Sequence, residues 1–592
     1  MTAYGEKLDP ARVLQDYPRP LLVRDSYLNL NGRWQYAFMR FDQAPTAWSG
    51  SILVPFAPEC PLSGVGQTLQ PGEFLWYRRS FTLPDGFVKS RVLLHFGAVD
   101  QNCAVYLNGK QAGGHEGGFL PFSLDITKYL KEGGPQELML RVTDPTDTAP
   151  FSTGCQKLPA PDAPPPEGWH GPQSGIWQTV WLESVPERYV AGLTVTPLYD
   201  ESAVEIVMHA AGGGKLVGEV QIWANTTMAA TAGLTSGRAV RIRLPNALSW
   251  TPQNPFLYKL RLKTGQDTVE SYFGMRKLQV KPGPNGAPRL WLNNRPFTGA
   301  GVLDMGVYSD GGYTPPSDRA VVADLKFAKA CGFSVVRKRG KLESQRWYHH
   351  CDRLGLLVWQ DLPAGGEAPV TTFWQRVFAG RKTPPDSDYP RYGRQDEAAR
   401  EAFLRDAEQA VDLLRGHPSL AVWCPFQQGA GQFDSAEVAG RIKALDPARP
   451  VDPVGGGPDM GGGDFVSLPY GPASPAHPPE KDGPAFGLDG RAGVLAHLPL
   501  PGLVAEGHFG GQPCAMPMAE SREALAQSLT ELYRDAVLPF VQRGGSVFFL
   551  GQLADTGCEA NGLLTGDRQL QKLKPAGLAR LNQMAVQAGK AK

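Results

Sequence analysis

The second half of the chain alternates between helix-like and strand-like segments, and this alternation restricts the possible fold more than any other feature. SDRAVVADLKFAKACG, which begins at Ser317, has apolar residues at helical spacing, a serine suited to cap a helix and a glycine stop. The units that follow are, in chain order, the strand SVVRKR, the helix ESQRWYHHCDRLG, the strand LLVWQD, the helix DEAAREAFLRDAEQAVDLLRGH and the strand SLAVWCPF. Repeated units of this kind predict parallel β/α pairs, and residues 283–592 are numerous enough for a (β/α)8 TIM barrel.

The first half has a different character, with short strand-like segments separated by turns. Residues 1–188 contain RVLLHFGAVDQNCAVYLNGKQAGG, in which Asn108-Gly109 is a strong signal for a tight hairpin turn. Residues 189–282 contain the strand candidates GEVQIWANTT and VRIRLP, over a length that suits a seven-stranded immunoglobulin-like sandwich. We therefore expect a multidomain protein in which two β-sandwiches, residues 1–188 and 189–282, precede the barrel of residues 283–592.

Composition and charge exclude several classes of protein. Lys plus Arg (59) nearly balances Asp plus Glu (58), so no overall field attracts nucleic acid or an anionic membrane. No apolar run approaches the roughly 18 residues of a transmembrane helix, and the N-terminal segment lacks the apolar core of a signal peptide. The eight cysteines are widely spaced and form no C-x-x-C pair, which favours reduced thiols over disulfides or a zinc site. These features predict a cytoplasmic protein without a metal or cofactor.

Several segments resemble glycoside hydrolase family 2, which contains β-galactosidases, β-glucuronidases and β-mannosidases. The segments that resemble the β domains of the family are YPRPLLVRDSYLNLNGRWQYAF, LWYRRSFTLP, SGIWQTVWLE and SWTPQNPFLYKL. Those that resemble its barrel are GLLVWQDLP, HPSLAVWCPFQQGAGQFD and QLADTGCEANGLLTGDR. The resemblance runs in the right order from residue 17 to about residue 570. It implies a jelly-roll-like sandwich of the sugar-binding type, an immunoglobulin-like sandwich and a glycosidase-like barrel.

The resemblance also indicates where the catalytic carboxylates belong, and this chain lacks both. Retaining glycosidases need an acid/base and a nucleophile about 5–5.5 Å apart. In the family's pattern W-x-P-F-N-E-G, Gln427 replaces the asparagine and Gln428 replaces the acid/base glutamate. VLAHLPLPGLVAEGH aligns without a gap with the family's nucleophile segment and has His497 at the nucleophile position. Arg339 replaces a histidine of the sugar pocket, and we predict that Gln428 and His497 approach each other from barrel strands four and seven.

Other side chains could bind a sugar or replace the missing catalytic carboxylates. Asp304 occupies a sugar-contacting position of the family, and a structural hydrogen bond is the alternative. Trp359, Trp423 and Tyr470 could stack on a sugar ring, and core or wall packing is the alternative for these aromatics. Glu506 becomes the nucleophile if AEGHFGG is aligned with the family's G-E-F-G-G, an alignment that needs an insertion. The further carboxylates in barrel segments are Glu343, Asp361 and Asp434.

The loss of both carboxylates predicts a protein that does not hydrolyse glycosides. A glutamine cannot donate the proton that general acid catalysis needs, a contribution of about 10²–10⁴ in rate. A neutral or positive histidine also fails to stabilise an oxocarbenium-like transition state. We therefore expect a pseudoenzyme that acts as a structural or partner-binding subunit, in a larger assembly or a homo-oligomer, or that binds carbohydrate. The alternative is an active retaining β-glycosidase that uses another carboxylate, such as Glu506.

Overall fold

In the computed structural model, the chain forms two antiparallel β-sandwiches followed by a barrel of parallel strands. The structure describes residues 1–149, 151–158, 170–284, 286–366, 383–469 and 489–590. Within those ranges no helix is both long enough and apolar enough to cross a bilayer.

The N-terminal sandwich packs a six-stranded sheet against a four-stranded sheet. The strand orders are β3-β2-β4-β10-β7-β8 and β1-β12-β5-β9, and β6 pairs with β11 beside them. Alternate residues of β10 are buried, as expected for a sheet with one face on the core. The strands are β1 Tyr27–Asn29, β2 Gly32–Met39, β3 Gly50–Val54, β4 Phe74–Phe81, β5 Arg91–Phe96, β6 Val99–Asp100, β7 Asn102–Leu107, β8 Lys110–Glu116, β9 Phe122–Asp125, β10 Gln136–Thr143, β11 Gly175–Ile176 and β12 Val180–Val185.

The hairpin between β7 and β8 confirms the turn predicted from the sequence. Asn108 and Gly109 have φ angles of 51° and 80°, which place both residues in the left-handed region. A two-residue turn that follows the twist of the flanking strands requires this conformation, and Asn-Gly adopts it at low cost.

The second sandwich is built from two smaller sheets, ordered β13-β14-β17 and β16-β15-β18-β19, and so has the seven strands expected of an immunoglobulin-like domain. A small sheet, β20-β21-β22, leads from this sandwich to the barrel. The strands are β13 Tyr189–Leu198, β14 Ala203–Ala211, β15 Val217–Ala224, β16 Thr227–Thr235, β17 Ala239–Arg243, β18 Tyr258–Thr264, β19 Thr268–Phe273, β20 Leu278–Pro282, β21 Pro288–Leu292 and β22 Arg295–Pro296.

The barrel sheet is parallel throughout, with the order β26-β25-β24-β23-β29-β28-β27 in the described part of the chain. The fifth strand position is reduced to Val451, which forms a parallel bridge with Trp423 of β26 and whose carbonyl accepts a 2.7 Å hydrogen bond from the N–H of Asp464. The strands are β23 Gly299–Asp304, β24 Val335–Lys338, β25 Leu357–Asp361, β26 Leu420–Cys424, β27 Phe465–Pro469, β28 Ala492–Pro499 and β29 Val547–Gly551. The predicted parallel barrel behind two sandwiches is therefore confirmed.

Helices cover the outside of the barrel and begin where the sequence indicates. The hydroxyl of Ser317 accepts a 3.3 Å hydrogen bond from Ala320 N–H, and the carboxylate of Asp396 accepts one of 2.9 Å from Ala399 N–H, so both residues are N-caps. The helices are α1 Asp318–Ala330, α2 Gln345–Leu354, α3 Glu397–Leu414, α4 Ser435–Leu445, α5 Arg522–Leu532, α6 Leu538–Gln542 and α7 Pro575–Lys590, with a π-helical turn, Tyr533–Val537, between α5 and α6.

Two apolar layers hold the barrel together. Inside it, the ring of Trp359 packs against Phe465 and Phe549 at centroid distances of 4.7 Å and 5.2 Å. Outside it, Trp423 lies between the sheet and the helices, where its indole N–H donates to Asp446 Oδ2 at 3.0 Å. Adjacent strands therefore direct tryptophans to opposite layers, and both indoles are buried.

Candidate functional site at the barrel mouth

Gln428, which the resemblance predicts to stand at the acid/base position, lies in a tight turn directly after β26. Gln428 has φ 49°, a left-handed conformation that is uncommon for a residue with a side chain. The turn is held by a hydrogen bond from Gly429 N–H to the carbonyl of Val454 at 3.1 Å. Gly457 allows that close approach, because a Cβ at residue 457 would lie 2.4 Å from the nitrogen of Gly429. This contact gives the glycine-rich loop near residue 455 a packing role.

His497, which the resemblance predicts to stand at the nucleophile position, projects from β28 toward Gln428. Gln428 Nε2 lies 3.0 Å from His497 Nδ1, so the predicted approach of these two side chains from strands four and seven is observed. With the amide as donor, Nδ1 is the acceptor and the ring carries its proton on Nε2. On the other side of the ring, a Cβ at Gly551 would lie 2.3 Å from Nε2, so the last residue of β29 leaves room for the imidazole.

The imidazole of His497 is neutral at pH 7. Burial lowers its pKa to about 3, and the positive charges of Arg339 and Arg337 act in the same direction. The pair at the centre of the site is therefore a neutral amide hydrogen-bonded to a neutral imidazole. This pair offers neither the acidic proton nor the anionic nucleophile that a retaining glycosidase requires.

Glu506, the alternative nucleophile, is not hydrogen-bonded to this pair among the described residues. Its side chain is exposed, and the hydrogen bonds and ion pairs of the described residues do not connect it to Gln428 or His497. The neighbouring His508 is held instead by Asp567, whose carboxylate lies 2.7 Å from Nδ1. Among the described residues, no acidic or basic group is ion-paired with this exposed carboxylate.

The other candidate carboxylates already have partners. Asp304 accepts from Lys338 Nζ at 2.6 Å and from Gly306 N–H at 2.8 Å. Burial opposes the charge of Asp304, but the Lys338 ammonium outweighs it and lowers the pKa of this carboxyl. Glu343 binds the same ammonium at 2.9 Å, and Asp361 accepts from Arg337 Nε at 2.9 Å. These three carboxylates are therefore each engaged by a buried cation of the protein.

Asp434 is bound by a neutral group instead, because its Oδ2 accepts a hydrogen bond from Tyr389 Oη at 2.8 Å. Two of the three aromatics predicted to stack on a sugar ring, Trp359 and Trp423, are buried. Trp359 and Trp423 are core side chains without a free ring face, so packing explains both positions. Tyr470 lies outside the described residues.

Gln427 reaches across to the N-terminal sandwich. Its Nε2 donates to Cys155 Sγ at 3.1 Å, while its buried Oε1 has no hydrogen-bond partner. Cys155 lies on a segment that contacts the barrel mouth, since Thr153 N–H and Gly154 N–H both donate to the carbonyl of Ala364 at 2.9 Å. The sequence analysis did not find Cys155, because 272 residues separate it from Gln427 and no local motif marks it.

Arg339 completes the group that we call the barrel mouth, namely Arg339, Gln427, Gln428, His497 and Cys155. Its backbone N–H donates to the carbonyl of Asp304 at 3.1 Å, directly after β24. Its side-chain Nε is buried without a hydrogen-bond partner. Neither the mouth nor any other described part of the chain contains three or more His, Cys, Asp and Glu side chains arranged to hold a metal ion.

Comparison with known proteins agrees with this architecture region by region. The model of the glycosyl hydrolase family 2 sugar binding domain matches residues 67–150, that of glycosyl hydrolases family 2 matches residues 189–276, and that of the family 2 TIM barrel domain matches residues 287–464. The three matched stretches correspond to the first sandwich, the second sandwich and the barrel.

Individual relatives are distant. A β-galactosidase of Thermoanaerobacter pseudethanolicus is 24% identical over 368 residues, which are 59% of this chain and only 44% of that protein. A β-glucuronidase of Felis catus is 24% identical over 493 residues, which are 74% of this chain and 69% of that protein.

Solved structures agree over nearly the whole chain. A β-D-glucuronidase of Dictyoglomus thermophilum has a TM-score of 0.72 at 17% identity, and the match covers 96% of this chain and 98% of that one. A β-glucuronidase of Ruminococcus gnavus has a TM-score of 0.73 at 17% identity, with 96% and 100% covered. At such identities the structural matches establish the fold alone. Together with the three family models, matched in chain order, they show that this chain belongs to glycoside hydrolase family 2.

Proposed function

We propose that this protein is a non-hydrolysing member of glycoside hydrolase family 2 that binds a carbohydrate-derived ligand at the barrel mouth. The observation that carries the proposal is the 3.0 Å contact between Gln428 Nε2 and His497 Nδ1, which takes the place of two opposed carboxyl groups. A neutral amide and a neutral imidazole can bind hydroxyl groups, but they cannot protonate a leaving oxygen or stabilise an oxocarbenium ion.

The alternative of hydrolysis by a substitute carboxylate has less support. Glu506 is exposed, whereas Asp304 and Asp361 are engaged by Lys338 and Arg337 respectively. A replacement acid/base would need a raised pKa, and the ammonium beside Asp304 moves its pKa in the wrong direction.

The choice of a carbohydrate-derived ligand rests on the relatives and on the accessibility of the mouth. Proteins similar to this chain are described as β-glucuronidases, β-galactosidases and a β-galacturonidase. Gln428, His497 and Arg339 each keep part of their surface exposed, so a small molecule can reach them.

The test is a hydrolysis assay on the purified full chain with aryl β-galactoside, β-glucuronide and β-mannoside substrates. We expect no turnover above a heat-inactivated sample, and no difference between the parent and the variant Glu506→Gln. Turnover with a bell-shaped dependence on pH would contradict the proposal, because it would reveal a working acid and base. Turnover that disappears in Glu506→Gln would identify the substitute carboxylate.

A further inference from the structure

We propose that a cleft between the second sandwich and the barrel binds an acidic, extended segment of a partner protein, which adds to β13 as a new strand. The cleft has a volume of about 890 Å³ and is lined by residues of β13 and by segments of the barrel. Its barrel residues, among them Pro418 and Asp464, precede β26 and β27, so the cleft lies at the end of the barrel opposite to the mouth. The inference is therefore independent of the function proposed for the mouth.

The first observation concerns the direction of the hydrogen-bonding groups in β14, the neighbour of β13. The carbonyls of Ser202 and Met208 accept hydrogen bonds from Leu244 N–H at 2.8 Å and from Gly237 N–H at 2.9 Å, on the side of β17. Successive residues of an antiparallel strand direct their backbone groups to opposite sides. Even-numbered residues of β14 therefore face β17, and odd-numbered residues face β13.

This alternation leaves two residues of β13 with outward backbone groups. Glu205 of β14 faces β13 and pairs with Thr196, so Thr196 is bonded into the sheet. The N–H and C=O groups of Leu193 and Val195 consequently point away from β14, and both residues line the cleft. Pro197 holds the next outward position and has no N–H, which limits the open part of the edge to these residues.

A second unpaired edge, that of β20, lines the same cleft. The carbonyl of Leu290 in β21 accepts a 2.8 Å hydrogen bond from Phe297 N–H on the side of β22. Leu290 pairs with Val280, so the backbone groups of Val280 and Leu278 face away from β21. Both residues line the cleft. Unpaired edges are usually covered or blocked in natural proteins, and an extended peptide that adds as a strand satisfies such groups.

The charge of the cleft favours an acidic occupant. Its lining contains three carboxylates against six cationic side chains, namely Arg19, Arg276, Lys277, Arg415, Lys443 and Arg449. The buried Arg276 donates to the backbone carbonyls of Pro418 and Leu420, at 2.8 Å and 2.6 Å, and not to a carboxylate. The side chains of Arg415 and Lys443 are 35% and 40% exposed, and exposed ion pairs contribute little, so these cations can turn toward a ligand at low cost.

A second copy of this chain fits the cleft less well than a single extended segment. Pairing through the same edge would bring a whole sandwich into a space between two domains. It would also place the cations of the cleft against their own copies, and like charges in contact oppose association. A strand directs alternate side chains to one side, so a segment with a carboxylate at every second position presents a row of negative charge.

The experiment is fluorescence anisotropy of a labelled nine-residue peptide, capped at both ends, that alternates valine and glutamate, titrated with the full chain. One comparison peptide has lysine in place of glutamate, and another carries a methyl group on each backbone nitrogen. We expect the valine–glutamate peptide to bind about tenfold more tightly than either comparison peptide. Equal affinity of the lysine peptide would overturn the acidic occupant, and equal affinity of the methylated peptide would overturn strand addition. Absence of binding by all three peptides would overturn the proposal.

The matched variants that test the edge are Val195→Pro and Ala239→Pro. Proline at residue 195 removes an outward N–H, and Pro197 shows that β13 accepts proline at an outward position. Ala239 pairs with Val207, which faces β13, so it holds an outward position of β17 at the other edge of the same sheet. We expect Val195→Pro to weaken binding of the valine–glutamate peptide about tenfold and Ala239→Pro to leave it unchanged. Circular dichroism checks folding, and the methylated peptide decides the question if Val195→Pro does not fold.

The matched variants that test the charge are Arg415→Met and Arg405→Met. Arg415 follows α3 and lines the cleft, whereas Arg405 lies on the exposed face of α3 with Glu401 at 3.8 Å. Each variant removes one positive charge. We expect Arg415→Met to weaken binding about threefold at low salt and Arg405→Met to leave it unchanged. Equal affinity in the two variants would overturn selection by the charge of the cleft.

Sedimentation velocity of the protein alone distinguishes the partner segment from a second copy. A dimer that dissociates in Val195→Pro would overturn the proposal, because β13 would then pair between copies of this chain. A monomer that binds the valine–glutamate peptide, and loses that binding in Val195→Pro, would support it.

Discussion

Arg337 and Arg339 stand two residues apart at the end of the same barrel strand, yet their surroundings are opposite. Arg337 is 1% exposed and binds Asp361 through Nε, the carbonyl of Ala496 through Nη1 at 3.0 Å and that of Gly455 through Nη2 at 3.2 Å. Arg339 is partly exposed and has a buried Nε without a partner.

The two arginines differ in whether the protein itself supplies partners for the guanidinium. Arg337 has such partners and is structural, whereas Arg339 keeps donors that could bind another group. Burial alone would lower the pKa of Arg337, but Asp361 outweighs this effect and raises it. Gly455 makes room for the ion pair, since a Cβ there would lie 2.1 Å from Arg337 Nη2. The charge of Arg337 is thus neutralised within the protein, whereas Arg339 Nε at the mouth has no hydrogen-bond partner.

The largest expected effect is on stability. Arg337→Met should lower the free energy of unfolding by about 3–5 kcal/mol, because it leaves Asp361 buried and unpaired. Arg339→Met should change it by less than about 1 kcal/mol, because no ion pair is lost. Denaturant unfolding followed by circular dichroism measures both variants.

A double variant tests whether the loss of stability in Arg337→Met comes from the unpaired charge of Asp361. Replacing Arg337 by Met and Asp361 by Leu together should restore part of the loss, since two apolar side chains can substitute for a buried ion pair. Equal losses of unfolding free energy in Arg337→Met and Arg339→Met would show that the two arginines do not differ in their structural role.

A smaller effect concerns acid stability. In the unfolded chain His497 titrates near its ordinary pKa of 6.5, whereas burial lowers its folded pKa to about 3. Between these values the unfolded chain binds a proton that the folded chain does not, so stability falls as the pH falls from 6.5 toward 3 and is unaffected by His497 above that window. After allowance for the partial exposure of the ring, protonation of His497 lowers the free energy of unfolding by about 2 kcal/mol across this window.

The check is a comparison of unfolding free energies of the parent and His497→Gln across that pH range. The glutamine of the variant does not titrate, so the free energy of unfolding should fall by about 2 kcal/mol less between pH 6.5 and 3 than in the parent. Parallel profiles would show that the imidazole does not change its protonation on folding.

A third effect tests whether Arg339 faces His497. Removing one positive charge in Arg339→Met should raise the pKa of His497 by about 0.5–1 unit, but burial should keep it below its ordinary value. Imidazole carbon shifts in a histidine-labelled sample report the titration. Arg405→Met is the control and should leave the His497 titration unchanged, and the same shift in both variants would indicate only a change in net charge.

The smallest expected effect is a gain of activity. The double reversion Gln428→Glu with His497→Glu should fold and yet recover little or no hydrolysis of an activated aryl glycoside. A restored carboxylate would pair with Arg339, which lowers its pKa and so disfavours a general acid. The resemblance also predicts that Gln427 replaces an asparagine of the family, and catalysis needs groups placed within about 0.5 Å. Robust turnover from these two substitutions would show that Arg339 leaves the mouth intact for catalysis.

Local features of the sequence were sufficient to predict most of the fold. The hairpin at Asn108-Gly109 and the cap at Ser317 depend on backbone conformation and on hydrogen bonds within a few residues. The order of strands and helices in the barrel depends on hydrophobic period, which is also readable from the chain. The positions of Gln428 and His497 could be predicted because the family resemblance supplied their long-range relation.

The sequence could not decide which polar groups are satisfied. Whether Arg337 or Arg339 finds a carboxylate depends on strands that are distant in the chain, and one of the neighbours of Gln427 comes from another domain, 272 residues away. The fifth barrel strand shrinks to a bridge at Val451, and neighbouring strands send Trp359 and Trp423 to opposite layers of the barrel. Helix and turn formation are local, so the sequence alone determined them. The burial and pairing of charged groups depend on residues that are distant in the chain and close in space, so they could be known only from the tertiary structure.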